Sequence, residues 1–290
     1  MKIVTDSASD LAAEQLVGLD ITYAPLRFTL DGKTYTSGVD IQPAEFYELI
    51  SKTESFPTTS QPSSGEFADL YRNLAKDGEE ILSIHVSSGL SGTLNSAQAG
   101  AAMVPEAKVT FFDSQTLSCP QGWQVQAAAL AAKAGWSMER IIAKLTEIRA
   151  KSEAMFTVAT LKYLIHGGRI SHLKGLVASM MNIKPIIGVE KLKGIYVTYG
   201  QDFTLKRAIH KMADKVLHWH QEGSKLRVQP LHGKNPEGAA LMVEELKKHF
   251  DLVLEPLTSI APVLGAHTGA GLVGLAFAPL EIFADLLNPA

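Results

Sequence analysis

From Met1 to about Ala154, short apolar runs alternate with longer segments of helical period, the pattern of βα units around a parallel sheet. The clearest strands are Ile3 to Thr5, Ile81 to Val86 and Val109 to Phe112, each followed by a polar turn and then a helix. In such sheets ligands sit beyond the carboxyl ends of the strands. Ile21 to Tyr35, broken by Asp31-Gly32, reads as an inserted extended pair, and Pro43 to Ile50 as a short helix with Pro43 in its first turn. Ser137-Met138-Glu139-Arg140 opens a longer helix with Ile141, Ile142, Leu145 and Ile148 on one face, and polarity returns at Lys151-Ser152-Glu153. A boundary placed there divides the chain into residues 1–154 and 155–290.

The second half begins with an expected strand, Phe156 to Ala159. A hairpin follows, in which Lys193-Gly194 turns between Ile186 to Leu192 and Ile195 to Thr198. After it come a helix from Phe203 to Gln221, a strand from Leu226 to Leu231, a helix from Pro236 to Phe250 and two late strands. Strands and helices here do not alternate strictly. The predicted fold class is therefore α/β in two lobes, an N-terminal parallel-sheet α/β lobe and a C-terminal α+β lobe. Without an internal repeat or a low-complexity linker, the lobes are expected to pack directly on each other. Ala127 to Ala134, the richest apolar stretch, is mostly alanine and reads as a core helix.

Composition narrows the classes of function. The chain has 290 residues, 46% hydrophobic and 20% charged, more than one core usually accommodates and enough to enclose a cavity. A formal net charge of -3, without a run of Lys and Arg, gives no electrostatic footprint for nucleic acid or an anionic membrane surface. The single cysteine, Cys119, fits a reducing compartment and reads as a small apolar filler. The first seven residues are too polar for a signal peptide, and no window approaches eighteen uninterrupted apolar residues. A cytoplasmic protein without an integral membrane segment is expected.

Three loops carry candidate chemistry. In Pro57-Thr58-Thr59-Ser60-Gln61-Pro62-Ser63-Ser64-Gly65-Glu66, Ser63 and Glu66 match a capping box, with Phe67, Leu70, Tyr71 and Leu74 as the buried stripe behind it. Free N–H groups at that helix start favour an anion, and the hydroxyls of Thr58, Thr59 and Ser60 are placed to donate to it. In Ser87-Ser88-Gly89-Leu90-Ser91-Gly92-Thr93, two glycines let the backbone approach a ligand, and Ser91 serves as N-cap or ligand donor. Asp6-Ser7-Ala8-Ser9-Asp10 follows the first strand and shares the same sheet edge, with Ser9 or Asp10 expected to cap the next helix. Each loop also has a plain structural role as a capped turn. None carries Lys or Arg, which argues against phosphate or nucleotide and suits a carboxylate held by uncharged donors.

Familiar enzyme motifs fail on inspection. Gly32-Lys33-Thr34 ends like a P-loop, but Arg27 stands where the first glycine is required. Gly89-Leu90-Ser91-Gly92-Thr93 departs from a nucleophile elbow at Thr93, and Ser91 has no recognisable triad partner in sequence. A Ser91-dependent acyl-ester hydrolase is thus the alternative from the enzyme class. Gly269-Ala270-Gly271-Leu272-Val273-Gly274 spells a dinucleotide fingerprint too near the end of the chain for a βαβ unit. The nine histidines show no metal-site spacing, so neither a metal nor another cofactor is expected. His267, set among small residues in Gly265-Ala266-His267-Thr268-Gly269, is the histidine placed to face a cleft and to neutralise a carboxylate there.

Taken together, Asp6-Ser7, Thr59-Ser60-Gln61-Pro62-Ser63, Ser87 to Thr93, Asp113-Ser114, Gly167-Gly168-Arg169-Ile170 and His267-Thr268-Gly269-Ala270-Gly271 resemble the DegV family of bacterial fatty-acid-binding proteins. The resemblance runs from Lys2 to about Phe277. It implies two lobes, with a long-chain fatty acid as the bound ligand, its acyl chain buried between helices and sheet of one lobe and its carboxylate at the lobe interface. It also implies a non-catalytic role, as the lipid-presenting subunit of a fatty acid kinase whose separate ATP-using partner forms the acyl phosphate. Carried over by residue, Thr59 and Ser91 become the direct carboxylate contacts, with Thr58, Ser60, Ser88 and Gly92 around them and His267 at the head group. Arg169 is expected in an interlobe salt bridge or at the head group. One departure bears on the partner: family members often carry Lys-x-Arg-Thr where this chain has Gln201-Asp202-Phe203-Thr204. Phe203 thus keeps open a lipid-sensing protein without a kinase.

Overall fold

The computed structural model describes residues 1–173 and 183–287. Seven strands come from the first half: β1 (Lys2–Asp6), β2 (Ile21–Ala24), β3 (Arg27–Leu30), β4 (Lys33–Thr36), β5 (Thr58–Ser60), β6 (Ile81–His85) and β7 (Val109–Asp113). Four of them form a parallel sheet in the order β2-β1-β6-β7. Every residue of β6 is buried, as a parallel strand covered on both faces requires. Helices Ser64–Leu74 and Thr93–Ala102 cover one face, enclosing Val4, Phe67, Tyr71, Ile81 and Ala97. The predicted capping box holds: Ser63 Oγ accepts from the Glu66 amide and the Glu66 carboxylate from the Ser63 amide.

The extended stretch from Ile21 to Tyr35 is not one inserted pair. Ile21–Ala24 joins the parallel sheet as its edge, with Ile3 opposite Ile21, and Pro25 ends that run because it has no N–H to give to a ladder. Only β3 and β4 form the hairpin, through Asp31 and Gly32 at φ 50° and 76°, the left-handed pair that a two-residue turn demands. Thr58-Thr59-Ser60, expected in a loop, is the third strand of this small sheet, with Phe28 opposite Thr59. Strand geometry then sends Thr59 to one face and its two neighbours to the other.

The chain enters a second sheet at β8 (Glu153–Thr157), three residues earlier than the apolar run suggests. It continues through β9 (Lys184–Val189), β10 (Tyr196–Asp202), β11 (Lys225–His232), β12 (Asp251–Leu254), β13 (Thr258–Ser259) and β14 (Val273–Pro279). The order is β10-β9-β8-β14-β11-β12, with β13 also beside β11, so three late strands replace the expected two. Pairing is mixed: β12 and β13 run parallel to β11, whereas β14 runs antiparallel to it. Helices Leu205–Trp219 and Pro236–Lys247 cover the outer face over Met212, Val216, Met242, Leu246 and Phe277. Each starts on a side-chain cap, Thr204 and Asn235 respectively.

Helix Ser118–Lys133 lies between the two sheets, touching β1 and β6 on one side and β8 and β14 on the other. This position explains why it is buried almost all round rather than along one stripe. Trp123 is fully buried here and its indole N–H donates to Gln229 Oε1 on β11 at 3.1 Å. One continuous core links Ile3 and Leu82 of the first sheet, Trp123 and Ala128 of the helix, and Phe156, Ile187 and Leu231 of the second. The lobes therefore share their interior and meet without a linker.

Candidate functional site

The carboxyl ends of β1 and β6, the strand β5 and the second-lobe helix Pro262–Thr268 converge at the lobe interface. Two small cavities adjoin there. The first, about 50 Å³, has polar walls from Thr59, Ser60, Gln61, Ser91, Arg169 and His267. The second, about 30 Å³, is apolar and runs beneath Phe156, Leu231, Ile260 and Leu272 on the inner side of the second sheet. Leu117, Tyr196 and Leu264 line both, so these three side chains stand between the polar cavity and the apolar one. A wider cleft of about 720 Å³ lies elsewhere, beside helix Pro43–Ile50, but it is an open surface groove of mixed charge spanned by the Glu48–Lys234 ion pair. Converging donors over an apolar recess, not size, mark a ligand site.

Thr59 Oγ1 and His267 Nε2 are 2.9 Å apart, joining residues 208 positions apart in sequence. His267 is 8% exposed, and burial, reinforced by the nearby Arg169 charge, pushes its pKa down to about 3. Its imidazole is neutral at ordinary pH, contrary to the expectation that it supplies the positive charge. Nδ1 has no hydrogen-bond partner among the described residues and lies against Gly167, where a Cβ would strike the ring. With the ring proton on Nε2, His267 donates to Thr59, leaving the threonine hydroxyl hydrogen free to point into the cavity.

The cation of the site is Arg169. Its guanidinium turns back to donate to Gly167 O at 2.6 Å and lines the polar cavity. Among the described residues it makes no ion pair, so the expected interlobe salt bridge is not formed. The reason is local: Gly168 at φ 76° folds the loop so that the guanidinium lies over its own backbone.

Ser91 also lines the cavity, with its hydroxyl 2.8 Å from Thr93 Oγ1 and accepting from the Thr93 amide at 3.3 Å. The helix starts one residue later than a Ser91 cap would place it, behind Gly92. Gly92 backs onto the Gln61 amide, which any larger residue would displace. Thr58 and Ser88 stand apart. Thr58 is exposed on the opposite face of β5 from Thr59, and the Ser88 hydroxyl is 2.5 Å from the Asp113 carboxylate, away from both cavities. Gln61 is the addition that motif reading missed; its signal was adjacency to Thr59-Ser60.

Behind the site, Asp6 accepts from the amides of Ala8 and Val86, both cavity residues, at 3.0 and 2.9 Å. It also meets Gln121 Nε2 at 3.1 Å and His85 Nδ1 at 3.0 Å. Ser83, His85 and Asp6 have triad-like spacing, 2.7 and 3.0 Å, yet all three are fully buried and none lines a cavity. They brace the loops after β1 and β6. Neither Ser9 nor Asp10 caps the following helix, Ala13–Leu16, which starts beyond them behind Ala12. No cluster of three or more metal-ligating side chains occurs among the described residues. Nor does any described helix have the length and apolarity to cross a membrane.

Comparison with known proteins places the sequence and the fold. A sequence model for the DegV family, described as uncharacterised proteins, matches residues 1–280. A DegV domain-containing protein of Deinococcus radiodurans is 35% identical over 277 residues, covering 96% of this chain and 95% of that protein. One from Staphylococcus aureus is 38% identical over 279 residues, with 94% and 96% covered. Among solved structures, a DegV family protein from Thermus thermophilus, described for its fatty acid binding, superposes with a TM-score of 0.87. It is 31% identical, with 96% of this chain and 99% of that one covered. DegV of Bacillus subtilis, described as a fatty acid binding protein, gives 0.84 at 32% identity, covering 96% and 98%. By family match, identity and fold, this chain belongs to the DegV family.

Proposed function

We propose that the protein binds a long-chain fatty acid across the two adjoining cavities, carboxylate in the polar one and acyl chain in the apolar one. The observation that carries this reading is the sharing of Leu117, Tyr196 and Leu264, which joins a cluster of donors to an apolar recess. Residues 1–154 and 155–290 are the two halves that enclose the ligand. Thr59, Ser91 and Arg169 supply hydrogen-bond donors, and Ser60, Gln61 and His267 complete the wall. Arg169 supplies the charge that a buried carboxylate needs, since dehydrating it without hydrogen bonds costs several kcal/mol. The solved relatives described as fatty-acid-binding support the same ligand class.

The energetics suit the assignment. Burying about fourteen methylenes at ~0.8 kcal/mol each gives on the order of 11 kcal/mol, against association costs of about 4 to 15. The chain gives affinity, and the donors fix which end is where. Both cavities are far below the roughly 300 Å³ of ordinary ligand pockets, so the three shared side chains move when the ligand enters. The carboxylate end, held in the polar cavity, is the end presented to a separate ATP-using kinase. That partner would transfer the terminal phosphoryl group to the carboxylate, leaving ADP and an acyl phosphate. Phe203, 71% exposed where the family resemblance leads one to expect a basic residue, bears on that docking and not on lipid binding.

The hydrolase alternative gains nothing from the geometry. Ser91 is hydrogen-bonded to Thr93, not to a base, and His267 is engaged with Thr59. Mass spectrometry of an organic extract of the purified protein tests the binding reading. A co-extracted fatty acid is expected; no extracted lipid, together with no uptake of added palmitate, would refute it. Acyl phosphate formation with a cognate kinase and ATP then tests presentation.

A further inference from the structure

The neck between the two cavities hangs from one side chain. Leu117 directly precedes Ser118, the first residue of the central helix, and Leu264 lies in the first turn of helix Pro262–Thr268, which Ala261 opens. These helices come from opposite halves of the chain. Asp10 joins their first turns: Oδ2 is 2.6 Å from the Ser118 hydroxyl, and Oδ1 accepts from the Ala261 amide at 2.8 Å. The partners are 108 and 251 residues away in sequence. Asp10 and Ser118 both hold positive φ, 44° and 56°, a backbone state that non-glycine residues keep only where the surroundings enforce it.

We propose that Asp10 is the positioning residue of this neck, fixing the spacing of Leu117 and Leu264 and so the rate at which an acyl chain passes between the cavities. The identity of the passenger rests on the fatty-acid reading; the anchor does not. Asp10 is 9% exposed, and burial raises its pKa to about 7, opposed by the hydrogen bonds from Ser118 and Ala261. The titratable groups that feel its charge are Tyr23 from β2, Tyr47 from helix Pro43–Ile50 and Cys119 from the central helix, none of them a cation. Ionised, both oxygens accept charge-assisted bonds; protonated, one becomes a donor to which the Ser118 hydroxyl turns to accept, and both bonds lose their charge assistance, so the anchor weakens. The neck is therefore tightest above about pH 7 and loosens below it.

Backbone hydrogen exchange on the full chain at pH 8 tests the anchor in wild type, Asp10→Ala and Asp10→Asn. In Asp10→Ala, exchange should speed by roughly tenfold at Leu117–Cys119 and Ala261–Leu264, as loss of a hydrogen bond predicts, with little change elsewhere. Asp10→Asn, which like the protonated acid presents one acceptor and one donor without charge, should fall between wild type and Asp10→Ala. Release of bound palmitate into an albumin sink should quicken about as much in Asp10→Ala. Wild-type release should also quicken from pH 8 to 6, whereas release from Asp10→Asn stays flat. Unchanged exchange at both segments would overturn the anchor, and faster exchange with unchanged release would overturn the neck. If Asp10→Ala does not fold, equal pH slopes for wild type and Asp10→Asn overturn the proposal. A wild-type protein that takes up no palmitate defeats the ligand reading, and exchange still decides the anchor.

Discussion

The two adjoining cavities are built on opposite principles. At the polar end, Thr59, Ser91, Arg169 and His267 come from four separate segments, and each is aimed by a particular bond or close contact. At the apolar end, Phe156, Leu231 and Leu272 are ordinary core residues of β8, β11 and the turn before β14, without a directional group among them. The first discriminates by chemistry and the second by volume. Damage to one should therefore be independent of chain length, and damage to the other should depend on it.

The largest expected effect comes from removing two donors together. Thr59→Val with Ser91→Ala should weaken palmitate binding by roughly 10² to 10⁴-fold, since hydrogen bonds to a charged group are worth about 1.5–3 kcal/mol each. The corresponding fatty alcohol should lose much less. A calorimetric titration showing equal losses for acid and alcohol would remove these residues from the carboxylate end. Arg169→Met follows, at roughly 10 to 100-fold on the acid. Gly167→Ala, which drives a methyl group into the His267 ring, should weaken binding by about tenfold as the Thr59–His267 bond is displaced.

At the other end the signature changes. Leu231→Phe overfills the apolar cavity, a change that costs about 1–3 kcal/mol in a packed site, and should penalise palmitate more than laurate. Equal penalties would show that the acyl chain lies elsewhere. A separate effect is on stability. His267 has a folded pKa below its ordinary value, so the unfolded chain takes up the proton first and stability falls as pH drops from about 6.5 towards 3. The slope is at most about 1.4 kcal/mol per pH unit for one proton. His267→Gln should flatten that part of a denaturation-midpoint profile, and an unchanged acid limb would mean the imidazole is not held neutral.

Several of the residues that motif reading singled out line the polar cavity, and they are unusual for their setting. Hydroxyls beside a capping box, two glycines after a strand and a histidine among small residues stand out without a structure. The same reading also took in Thr58 and Ser88, which share the loops but not the cavity. Side-chain direction caused the difference. Recognising Thr58–Ser60 as a strand is what separates Thr59 from Thr58, and that assignment depends on a pairing with Phe28 that no local pattern announces. Arg169 was read as an interlobe ion-pair partner or a head-group residue; a glycine-enabled turn folds it back to donate to Gly167 O, and it lines the cavity.

What the amino-acid sequence determined by itself was local: the parallel βα order of the first half, the capped helices, the Asp31-Gly32 turn, the alanine-rich core helix and the set of donor-bearing loops. These follow from periodicity, caps and turn chemistry, which act over a few residues. Tertiary structure decided which donors face one another, which of them carries charge, and how the polar cavity meets the apolar one. Those outcomes depend on contacts such as Thr59 with His267 and Asp10 with Ala261, more than 200 residues apart. Burial sets them as well, lowering the pKa of His267 and raising that of Asp10, and burial exists only once both sheets have closed on the helix between them.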